Sequence, residues 1–147
     1  MQSEKVIEDR LGSVFYHPGA SQSEENKPNS IRSYDHEGRM FSIFHKKGKL
    51  VSIDVESIHQ DVPRIFSGID SIPPIEDPFD FYSRWTVAES ICKLTNTPIL
   101  HRIKKHGLPK FPFDSHFIIS EEGREFEAIS IFNRDLAVII SIVERTH

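Results

Sequence analysis

LAVIISIV, residues 136–143, decides the fold. A run this short cannot cross a membrane as a helix, which takes roughly 20 apolar residues. It is rich in β-branched side chains, which suit an extended backbone. The side chains of a strand alternate between two faces, so a strand apolar at nearly every position needs cover on both. We therefore expect a strand here that is either central in its sheet or covered by helices over one face and a second sheet or a partner over the other.

The residues just upstream supply its neighbours. Segments 116–120 and 125–132 read as strands separated by the turn Glu121-Glu122-Gly123-Arg124, and Asn133-Arg134-Asp135 separates the second of them from 136–143. Short polar turns of this kind join antiparallel strands. Before this meander, Asp77 stands as an N-cap, with Pro78 at the first helical position, Asp80 at the third, and Phe81, Trp85, Ala88 and Cys92 at helical spacing. This pattern predicts a helix over 78–94. Thr97-Pro98 repeats the cap-and-proline signal, and Gly107 with Pro109 ends a second helix at 98–106.

Nearer the N-terminus the apolar period becomes two. Residues 31–35, 40–44 and 50–55 alternate, with Val51, Ile53 and Val55 set against Ser52, Asp54 and Glu56, and glycine-bearing turns lie between them. These predict a three-stranded meander. Residues 13–17 read as a strand, 3–11 as a short helix, 18–30 as a polar surface loop, and prolines divide 57–78 into a short helix near 62–67 and a packed loop. The expected fold class is α+β in one domain, 1–147. Two antiparallel β-meanders, at about 31–56 and 116–144, flank a central helical segment at about 78–106, with a short N-terminal helix.

Composition narrows the function. The chain has 147 residues with a single cysteine, and 18 Lys+Arg against 22 Asp+Glu. One cysteine excludes a disulfide framework, and the start MQSEKVIEDR lacks the apolar core of a signal peptide, so a cytoplasmic protein without a membrane segment is expected. Cys92, on the apolar stripe of its helix, reads as a buried, inert thiol. Glycines stand singly in turns, which leaves no phosphate-binding loop, and His101 and His106 lie about 140° apart on a helix, too far round to share a metal. Neither cofactor nor metal is expected.

The small net charge conceals a strong segregation. Residues 54–89 hold 8 acidic and 2 basic side chains, and residues 90–110 hold 5 basic and none acidic. Size, acidity and missing catalytic motifs suit a protein that binds another protein. The expected interface is Glu76, Asp77 and Asp80 with Tyr82 and Arg84, where carboxylates mix with an aromatic and an arginine. A basic partner would be attracted by such a surface, as an immunity-type inhibitor attracts a bacterial toxin or nuclease.

Two other readings follow from the residues. Leu94 to Pro109, LTNTPILHRIKKHGLP, resembles the turn and recognition helix of helix-turn-helix DNA-binding proteins. The resemblance implies that Thr97 caps the helix, that His101, Arg102 and Lys105 face the groove, and that Lys104 meets phosphate. The turn is one or two residues short of that pattern, and the same lysines also complement the carbonyl end of a helix dipole. Finally, His116 after Asp114 and His36 after Asp35 place imidazoles beside carboxylates, so a histidine-dependent hydrolase would draw on His116, His101 or His36.

Overall fold

A computed structural model describes residues 14–17, 30–44, 50–63 and 75–147. Among them the chain forms β1 (Val14–His17), β2 (Ser30–Tyr34), β3 (Met40–Phe44), β4 (Leu50–Ser57), α1 (Pro78–Thr95), α2 (Ile99–His106), β5 (Phe117–Glu121), β6 (Arg124–Asn133) and β7 (Val138–Arg145). The fold is α+β in three layers. A sheet of order β1-β3-β2 lies against a sheet of order β4-β7-β6-β5, whose other face carries the helices.

The apolar C-terminal run explains this layering. β7 is central in its sheet and buried along all but its last residue. Val138, Ile140 and Ile142 pack toward Phe41 and Ile43 of the small sheet. On the opposite face, Ile139 meets Phe81, Ala88 and Ile103, and Val143 meets Val87 and Ile91. The two-faced cover expected of 136–143 is thus a sheet on one side and helices on the other.

The C-terminal meander β5-β6-β7 forms as expected, but the first meander is corrected at its third strand. β4 pairs with β7, from Leu50↔Arg145 to Ser57↔Val138, and β1 takes the open edge of β3, from Val14↔Ile43 to His17↔Met40. Alternation identifies a half-buried strand without naming its neighbour. Here Val51, Ile53 and Val55 face Phe41 across the sheet interface, so β4 belongs opposite β3 rather than beside it.

Local chemistry sets the helix ends. Asp77 caps α1, accepting the N–H groups of Phe79 and Asp80, and Asn96 closes it in the left-handed region at φ 51°. α2 departs from expectation at its start: Pro98 holds the N-cap position, and the Thr97 hydroxyl bonds Thr95 instead. The helix thus begins one residue later than the Thr97-Pro98 signal implies, and no side chain caps it. Gly107 ends α2 at φ 70°, its N–H donating to Ile103. The helix expected at 3–11, nearly all of the loop at 18–30, and residues 64–67 of the helix expected near 62–67 lie outside the described residues.

Candidate functional site

β4 pairs only with β7 among the described strands and so forms an edge of the large sheet. Its alternation sends Val51, Ile53 and Val55 into the core between the sheets and turns Ser52, Asp54 and Glu56 toward α1. On α1, Tyr82, Thr86, Glu89, Ser90 and Lys93 recur at steps of three and four and form the facing stripe. The two elements run antiparallel. At one end the Ser52 hydroxyl donates to the Ser90 carbonyl at 2.6 Å, and at the other the Tyr82 hydroxyl donates to the Asp61 carbonyl at 2.8 Å.

Between these bonds lies a cluster of carboxylates. Lys93 Nζ reaches from α1 over the strand edge to the Ile53 carbonyl at 2.7 Å and Asp54 Oδ1 at 3.1 Å. A lysine laid over an edge strand also blocks pairing with foreign strands. Asp54 is 7% exposed, and its second oxygen, Oδ2, has no hydrogen-bond partner. Burial pushes its carboxyl up to about 8, Lys93 opposes this only in part, and the charges of Glu56 and Glu89 add to the rise. Burial also raises Glu56 and Glu89. Gln60 holds Glu56 Oε2 at 2.7 Å. Lys93 bears on all three carboxyl groups and His36 on Glu56, so acidic groups outnumber the cations among them.

The residues expected at the interface divide among several environments. Glu76 and Asp77 are exposed, although Asp77 directs both carboxylate oxygens to the helix cap. Asp80 and Arg84 form a two-armed pair at 3.0 Å on each arm, and Arg84 also donates to the Leu108 carbonyl. Tyr82 is buried on the β4 side, where its hydroxyl joins the acidic strip. The neighbouring aromatics are packing groups: Phe79 stacks on Phe113, and Phe81 on Trp85.

The basic segment is similarly divided. His101, Lys104 and Lys105 are exposed. Arg102 is 4% exposed and turns inward to Glu121 at 2.8 Å, while Lys105 pairs with Glu122. Of the candidate histidines, His36 and His101 are exposed and His116 is half-buried. Among the described residues no group of three or more His, Cys, Asp or Glu side chains is placed to hold a metal ion. Cys92 is buried, and burial pushes its thiol up to about 11, so it is a poor nucleophile.

Sequence reasoning did not single out Asp54, Glu56 or Glu89. Their one signal was the acidic excess of residues 54–89, whose two ends the fold brings together. The chain matches no protein-family model and no curated protein.

Proposed function

We propose that this chain is a non-enzymatic, cytoplasmic protein-binding protein that neutralises a basic partner, as an immunity-type inhibitor neutralises a bacterial toxin or nuclease. The observation that carries the reading is the concentration of Asp54, Glu56 and Glu89 around the single ammonium of Lys93. Glu56 and Glu89 repel one another in this partly desolvated strip, and burial keeps Asp54 from ionising, so the isolated fold is less stable for it. A cationic partner relieves that repulsion, so such a strip favours association with basic surfaces and speeds encounter. The exposed Glu76 and Asp77 extend the acidic character of the same stretch.

The DNA-binding reading of 94–109 has less support. Arg102, the side chain best suited to a base edge, is buried against Glu121, and Lys105 is engaged by Glu122.

Co-expression with the product of the adjacent open reading frame tests the proposal. A complex that forms, rescues growth from that product, and is weakened by Glu56→Lys with Glu89→Lys is the expected result. A complex insensitive both to that reversal and to Asp77→Lys with Asp80→Lys removes the acidic surface from the reading. Absence of any complex, with salt-sensitive retardation of duplex DNA instead, replaces it with the regulator.

A further inference from the structure

The side chain of Asp54 is nine-tenths buried, yet only Oδ1 is engaged, by Lys93 Nζ at 3.1 Å. Oδ2 lies buried without a donor. A buried carboxyl oxygen without a partner is unfavourable, protonated or not, so the site as it stands is incomplete in hydrogen-bonding terms. Lys93 is an imperfect complement to it. Its ammonium also serves the Ile53 carbonyl at 2.7 Å, and 41% of its side chain is exposed. Glu56 follows Asp54 by two residues on the same face of β4, Glu89 precedes Lys93 by one turn of α1, and both are half-buried, with part of their surface in solvent.

A guanidinium fits this set better than an ammonium does. It is planar, presents five N–H donors in a fixed fork, engages both oxygens of one carboxylate, and keeps donors for a second. We propose that Asp54, Glu56 and Glu89 form a socket for an arginine side chain of the partner, and that Lys93 fills this socket in the free protein and is displaced when the arginine enters. The proposal rests on the protein-binding reading above and gives that partner's contact a chemical identity. Lys93, on a flexible four-carbon stem and partly in solvent, is free to swing away without any change in the backbone.

Anisotropy of labelled hexa-arginine and hexa-lysine peptides, titrated with the full chain at low ionic strength, tests the socket. Hexa-arginine binds about fivefold more tightly than hexa-lysine. Glu56→Gln with Glu89→Gln weakens it about tenfold, whereas Glu76→Gln with Asp77→Asn, the same loss of charge elsewhere, changes it by less than about twofold. Lys93→Met removes the internal competitor and tightens binding about threefold, while Lys93→Arg, a better plug, weakens it by a similar factor. Circular dichroism and thermal melting verify the fold of each variant, and Lys93→Arg alone carries the sign if Lys93→Met does not fold.

Equal weakening by the two carboxylate pairs indicates a diffuse field and overturns the socket. So does native or tighter binding by Lys93→Arg, and so does the absence of hexa-arginine binding. A partner complex unchanged by Glu56→Gln with Glu89→Gln overturns the socket but leaves the protein-binding reading in place. Failure of the native chain to form any complex overturns that reading.

Discussion

Asp54 shows how burial and pairing compete at a single residue. An ion pair with Lys93 is in place, yet burial outweighs it and the carboxyl rises from 3.8 to about 8. The folded state then holds a proton that the unfolded chain has already lost, so the residue's contribution to stability declines as pH climbs between those values. Glu56 on β4 and Glu89 on α1 press in the same direction, and Lys93 opposes. Asp54→Asn is therefore expected to stabilise the protein by about 2 kcal/mol at pH 8, with the gain shrinking toward pH 5. Urea titrations at the two pH values check this. Cys92 makes a simpler case, since its thiol is buried and pushed up to about 11. Its alkylation in the native state is expected to be about a hundredfold slower than in urea, measured by mass spectrometry. The sequence already placed this thiol in the core, because Cys92 continues the stripe of Phe81, Trp85 and Ala88. It did not place Asp54, since an acid alternating with valines reads as solvent-facing until α1 covers that face of β4.

At the scale of elements, the turn chemistry is where local sequence speaks most directly. Glu122 and Gly123 both have positive φ, 52° and 76°, the arrangement of the two-residue hairpin turn whose twist matches that of its strands. A Cβ added at Gly123 meets nothing within 4 Å, so Gly123→Ala costs backbone strain alone, about 1 kcal/mol. Glu122→Asn is expected to stabilise by about 0.5 kcal/mol, because asparagine tolerates the left-handed region and the surface pair with Lys105 contributes little. Chemical denaturation of both variants measures these effects, and opposite signs are expected. The span and cap of α1 were legible for the same reason: Asp77, Pro78 and Asp80 act within one turn. The start of α2 was misplaced by one residue: the same residue-plus-proline signal that caps α1 at Asp77 does not cap α2, where the Thr97 hydroxyl is taken up by Thr95 and Pro98 holds the cap position.

For the whole molecule, stability rests on the two sheets facing each other and on α1 lying close to the larger one. Phe41 is 1% exposed in the apolar layer between the sheets, and Phe41→Ala is expected to cost about 4 kcal/mol in equilibrium unfolding. Arg39 ties the same layers at the surface, bonding Asp35 within its own hairpin and the Leu136 carbonyl at the start of the opposing one, at 3.1 Å. On the helix side, the hydroxyls of Thr86, Ser141 and Ser130 bond one another at 2.6 and 2.7 Å, so these three small polar side chains let α1 approach β6 and β7 with their own hydroxyls paired. A cation entering the acidic strip releases the proton of Asp54, and hexa-arginine affinity is expected to rise from pH 5 to pH 8 and then level off. Anisotropy across that range reads it, with Asp54→Asn flattening the profile. The sequence by itself determined the α+β class, the central strand, both described helices and the C-terminal meander, because periodicity, caps and turns act over a few residues. Tertiary structure alone decided that β4 leaves β3 to pair with β7, and that Asp54, Glu56 and Glu89 converge on Lys93. Sheet partners and charge clusters join residues far apart in the chain, and their energies depend on burial and distance, which no local pattern encodes.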